Sequence, residues 1–188
     1  LQVYIQLIFQ MGVNQALYYF IPRDEDNAGA YFINSLLLNL VIFGLALAGL
    51  AFFREPVSAW LRMPILIESF GVLAVYMLVR MPTVCCDCYL NARRRVKAAA
   101  FFEVAGQVVV SLATVVTAFQ TADVQTVLQA MVAARGLQLL AMLGFIQWRL
   151  RGLRVRRLFD GMWAQVRYGV VLGLAGTLWA FQFKLHEF

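Results

Sequence analysis

Long apolar stretches alternate along the chain with short polar clusters, and the stretches set the elements. Leu1 to Pro22 carries no charged residue, and neither does Ala30 to Phe53. A helix rising about 1.5 Å per residue needs roughly 20 residues to cross about 30 Å of hydrocarbon. The pattern predicts six such helices, at about 1–21, 30–53, 64–90, 98–119, 124–148 and 162–183. Pro22 and the charged turn Arg23-Asp24-Glu25-Asp26-Asn27 close the first, and a link with Arg54, Glu55, Pro56, Trp60 and Arg62 precedes the third. The third contains Glu68, Arg80, Asp87 and Pro82, and the proline predicts a kink. Glu103 is the only charge in the fourth and Arg135 the only one in the fifth.

Composition narrows the class. With 62% hydrophobic and 14% charged residues, the chain lacks the polar surface that a freely soluble domain needs. Disorder is excluded by the same apolar excess, a disulfide scaffold by only three cysteines, and a coiled coil by the lack of a sustained heptad. The expected fold is an all-α polytopic membrane helix bundle. The first segment shows no basic region or cleavage site and carries amides at Gln2, Gln6, Gln10 and Asn14, so it is expected to be a spanning helix and not a signal peptide.

The net charge of +6 takes its meaning from placement. If the first helix ends in the cytoplasm, the inside loops hold Arg23, then Arg93, Arg94, Arg95 and Lys97, then Arg149, Arg151, Arg154, Arg156 and Arg157. Only Arg54, Arg62 and Lys184 fall outside. Lysine and arginine are enriched in short cytoplasmic loops, so the basic charge is a topology signal and no nucleic-acid partner is expected. This orientation puts residue 1 outside, which calls for a further helix upstream if the native amino terminus is cytoplasmic.

Chemistry is expected where polar groups enter the hydrocarbon, since each needs a partner or water. The first helix spaces Gln2, Gln6, Gln10, Asn14 and Tyr18 four residues apart, and the fourth carries Glu103, Gln107, Ser111, Thr114 and Thr117 on one face. Either the two stripes line one aqueous groove or they hydrogen-bond helix to helix. Arg80 and Arg135 lie at depths where a charge costs on the order of 2.5 to 3.5 kcal/mol on insertion scales. Guanidinium binds phosphate bidentately, so one reading has them attract the diphosphate or acidic sugars of a lipid-linked substrate. The other pairs Arg80 with Asp87 or Glu103, and Arg135 with either acid.

Cys85, Cys86 and Cys88 beside Asp87 lack the geometry and second ligand group of a metal site, and small packing residues are the expected role. Gly169, Gly173 and Gly176 permit close helix approach. No phosphate-binding glycine loop, zinc-protease helix or nucleophile–base pair appears, so neither enzyme chemistry nor a cofactor is expected.

The stretch Gly12-Val-Asn-Gln-Ala-Leu-Tyr-Tyr-Phe-Ile-Pro-Arg23, followed by a polar turn and Tyr31-Phe-Ile-Asn34, resembles the second and third helices of polysaccharide-biosynthesis flippases. These form the polysaccharide-transport branch of the multidrug/oligosaccharidyl-lipid/polysaccharide exporter superfamily. Leu90-Asn91-Ala92-Arg93-Arg94-Arg95 before an Ala-rich helix, and a basic linker before Tyr168-Gly169, are similar as well. The resemblance implies two six-helix bundles around a central cavity with alternating access, of which this chain is a partial transporter fold. Residues 1–148 would belong to the first bundle, 149–160 to a basic cytoplasmic linker and 161–188 to the first helix of the second bundle. Arg23 matches the arginine after the family's Phe-Ile-Pro element. With most of the second bundle absent, the sixth helix is expected to dock poorly on the other five.

The function so implied is movement of a lipid-linked oligosaccharide or polysaccharide precursor across a bacterial inner membrane. The expected substrate contacts are Arg135, Arg80, Arg23, Glu103, Gln107, Gln6, Gln10 and Asn14, and the expected partners are that substrate and membrane lipids. A cation-coupled drug extruder would favour intramembrane carboxylates, and a non-transporting scaffold subunit would need no hydrated groove.

Overall fold

A computed structural model of the chain describes residues 12–53, 55, 56, 58, 67, 69–121, 123–149, 159 and 161–185, with no side-chain description at 149 or 176–185. The described residues form six α-helices and one 3₁₀ turn: α1 (Val13–Phe20), the turn (Glu25–Asn27), α2 (Ala28–Phe52), α3 (Phe70–Ala92), α4 (Val96–Thr121), α5 (Val124–Arg149) and α6 (Met162–Leu185). The protein is an all-α membrane helix bundle. Glu25–Phe52, Phe70–Ala92, Val96–Thr121 and Val124–Trp148 are each long and apolar enough to cross a membrane.

Without water in the hydrocarbon, backbone groups must be satisfied within each segment, which is why apolar stretches of this length become helices. Their ends follow local chemistry. Arg94 sits in the left-handed region at φ 58°, with its N–H on the Asn91 carbonyl at 2.9 Å and the Arg95 N–H on the Leu90 carbonyl at 2.8 Å. That pair of bonds is a Schellman motif, which satisfies the last carbonyls of α3 and reverses the chain into α4. At the start of α5, Asp123 accepts from the Thr126 N–H at 3.0 Å and from the Thr126 hydroxyl at 2.6 Å. Pro82 lies inside a helix that runs on to Ala92.

α3 is the hub, packing against α1, α2, α4 and α5. The main core gathers Leu17, Ile21, Phe32, Cys85, Cys86, Tyr89, Leu90, Ala99, Met142 and Ile146 from five helices. Cys85 and Cys86 are fully buried in it.

Two expectations need correction. The first span does not run as one uninterrupted helix, because Gly12 at φ 64° stands in the left-handed region and α1 starts after it. α6 is not loosely held. It packs on α1 and α2, and Gly12 sits so close to Gly169 and Gly173 that an added Cβ would lie 2.8 Å from the Gly173 nitrogen. Tyr168 of α6 stacks on Tyr19 of α1 with ring centroids 4.5 Å apart, and Gln165 donates to the Tyr31 carbonyl at 3.2 Å and the Ser35 hydroxyl at 3.3 Å. The glycines dock α6 on α1, a helix already present.

Candidate functional site

One turn apart on α4, Glu103 and Gln107 project toward two different neighbours. Glu103 meets Arg80 of α3, Oε1 to Nη2 at 3.6 Å. Gln107 meets Arg135 of α5, whose Nη2 donates to the Gln107 Oε1 at 2.5 Å. The other arm of the guanidinium, Nη1, donates to the Gln138 Oε1 at 2.6 Å. Gln138 is oriented in turn, since its Nε2 donates to the Phe102 carbonyl of α4 at 3.0 Å and leaves the oxygen for the arginine. Gly106 makes room for this: a side-chain carbon there would collide with the Gln138 amide. A seam of polar side chains thus crosses α3, α4 and α5.

The two arginines differ in how their charge is met. Arg80 has a carboxylate partner, as one reading of the sequence anticipated. Arg135 is only 4% exposed and takes two amide oxygens, and its Nε has no hydrogen-bond partner among the described residues. The pairing of Arg135 with an acid is not seen. Amide dipoles soften the burial of a cation but cancel none of its charge, so Arg135 presents a whole positive charge inside the bundle.

On the other side of α3, the Tyr18 hydroxyl of α1 is within hydrogen-bonding reach of Cys88 and Asn91. Asn91 donates to Asp87 at 3.3 Å, and Asp87 interacts electrostatically with both Arg80 and Glu103. The helices that carry the two stripes, α1 and α4, make no contact with each other among the described residues, but both pack against α3.

Gln107 and Ser111 are exposed on α4, while the Thr114 and Thr117 hydroxyls bond the carbonyls of Val110 and Ala113 in their own helix. The threonines therefore satisfy themselves and glue no second helix. Asn14 behaves differently: it is buried and accepts from Asn39 Nδ2 of α2 at 2.7 Å, facing no open space. Gln2, Gln6 and Gln10 and most of the basic linker lie outside the described residues.

Arg23 is exposed and apart from the seam, its guanidinium carbon 3.6 Å from the centroid of the Tyr19 ring. Beside it, Gln15, Tyr18, Tyr19, Tyr168 and Leu172 line a cleft of about 480 Å³. Sequence reasoning missed Gly106, Asn39 and Tyr168. The run Tyr18-Tyr19-Phe20 and the lone Tyr168 were visible, but no spacing rule joins residues so far apart.

Helices of spanning length, a buried guanidinium without an acid and a polar stripe left open on a helix side define a membrane protein that keeps charge inside its bundle. The family of polysaccharide biosynthesis proteins matches residues 3–188, essentially the whole chain, and the chain belongs to that family. It therefore has a role in polysaccharide biosynthesis. Neither the curated proteins nor the solved structures offer a match to it.

Proposed function

We propose that the protein moves a lipid-linked oligosaccharide from the cytoplasmic to the outer leaflet of a bacterial inner membrane, by alternating access within a larger helical assembly. The observation that carries this is Arg135, a buried, permanently charged fork held by Gln107 and Gln138 with one N–H unpartnered. An intermediate of polysaccharide assembly carried on a lipid diphosphate has the matching chemistry, an anion that accepts a guanidinium bidentately. Family membership supplies the sugar, and spanning-length helices supply the membrane. The exposed Gln107 and Ser111 give such a head group polar surface along α4. The work asked of the protein is positioning and shielding of a charged head group, and no bond is made or broken.

The test is translocation by the intact protein reconstituted in liposomes. Arg135→Ala should abolish most transport, and Arg135→Lys should lower it partly, because lysine keeps the charge but loses the fork, with equal insertion in both. Normal transport by Arg135→Ala would end the substrate role.

A further inference from the structure

The cleft between α1 and α6 has a composition that the charged seam lacks. Of the five described residues that line it, three are tyrosines, one is an amide and one an aliphatic, and Tyr18 leaves 46% of its surface open. Its wall is built rather than loose. Tyr19 is fixed between the Tyr168 ring at 4.5 Å and the Arg23 guanidinium at 3.6 Å. Phe20 sets its edge against Tyr168 at 5.9 Å and also packs on Tyr31 at 5.3 Å.

Three ligand chemistries can be weighed against this wall. A phosphate needs convergent cations, and Arg23, which touches the wall, already faces the Tyr19 ring. An acyl chain needs an aliphatic lining, and Leu172 is the single aliphatic residue there among the described residues. A sugar ring has C–H faces and a rim of hydroxyls, which matches flat tyrosine faces bordered by phenol and amide groups.

We propose that this cleft is the sugar subsite of the transporter: a pyranose ring lies against Tyr18 and Tyr168 while the Gln15 amide hydrogen-bonds its hydroxyls. This rests on the transport reading above and adds to it a place for the carbohydrate. Tyr18 touches α3 at Cys88 and Asn91, and α3 also packs against α5, which carries Arg135, so sugar and anion sites adjoin one helix. The three tyrosines distribute recognition over both partner helices, so the subsite is complete only while α6 is docked on α1.

The experiment uses the intact protein in detergent micelles with two probes. One is a panel of soluble oligosaccharides containing glucose, galactose, N-acetylglucosamine or glucuronic acid, followed by saturation-transfer NMR. The other is inorganic pyrophosphate, followed by phosphorus line broadening. At least one oligosaccharide should receive saturation from the wild type. Tyr18→Leu and Gln15→Leu, both at exposed positions, should each cut that transfer about fivefold, while Val108→Ala on the outer face of α4 should not. Size-exclusion elution establishes that each variant is folded. No transfer from any sugar to the wild type, or full transfer to both leucine variants, would overturn the subsite. Pyrophosphate broadening that depends on Arg135, without any sugar signal, would leave the transport reading standing and remove the subsite. A sugar signal without pyrophosphate broadening would uphold the subsite and unseat Arg135.

Discussion

At the scale of single residues, the decisive contacts are made by groups with nothing charged to offer. Arg135 depends on the Gln138 oxygen, which depends on the missing side chain at Gly106. Gly106→Ala should therefore displace Gln138 and leave part of the guanidinium unpaired, lowering stability by about 1–3 kcal/mol. Thermal unfolding in detergent should show that shift, with little added by Gln138→Leu because the two changes break one contact. Unchanged unfolding would mean that the amide adapts. Asp123 carries a pH dependence of its own. Hydrogen bonds from the Thr126 hydroxyl and from the Thr126 and Gln125 N–H groups hold its carboxyl below its ordinary value of 3.8. A depressed folded value means that the stabilisation is whole above the unfolded value and lost as pH falls through the folded one. Unfolding scans should show a fall below about pH 4 that Asp123→Asn removes. That Arg135 lies deep in its span was legible from its apolar surroundings. That it meets two glutamines was not, because acid and amide partners stood at equally plausible spacings.

Between elements, the close approach of α1 and α6 is a backbone matter. Gly12 needs its φ of 64°, and any Cβ there would strike the α6 backbone. Gly12→Ala combines strain with collision and should cost about 1–3 kcal/mol. A bifunctional maleimide joining cysteines placed at Gln15 and Leu172, which line the same cleft, should bridge the parent protein and lose most of its yield in Gly12→Ala. Equal yield would show that α6 is held by Tyr168 and Gln165 without the glycines. The helix-to-helix turns were better announced by the chain. Arg93-Arg94-Arg95 marked a boundary, one governed by residues next to one another.

For the molecule as a whole, orientation follows from where the basic residues fall. Arg93 pairs with Glu25 at 3.4 Å, which puts the turn after α1 and the turn after α3 at the same end of the bundle. Ten basic residues assigned to that end should keep it in the cytoplasm. A cysteine at Arg95 should then be shielded from an impermeant thiol reagent in intact cells, and one at Thr121, exposed at the far end of α4, should react. The opposite labelling would invert the orientation, and the direction of transport with it.

Helix content, spanning length and the depth of Arg80 and Arg135 were determined by the sequence alone, since each follows from the cost of leaving a backbone or charged group unsatisfied in hydrocarbon. Which face of each helix turns inward was decided only by tertiary structure. In a membrane, lipid is as apolar as leucine, so burial cannot be read from residue type. Leu17 and Ile21 are buried, while Val108 and Leu112 of the same character lie exposed on α4. The same freedom turned Asn14 toward Asn39, and it set α6 on α1, because rotation and docking are chosen by small residues and hydrogen bonds between helices.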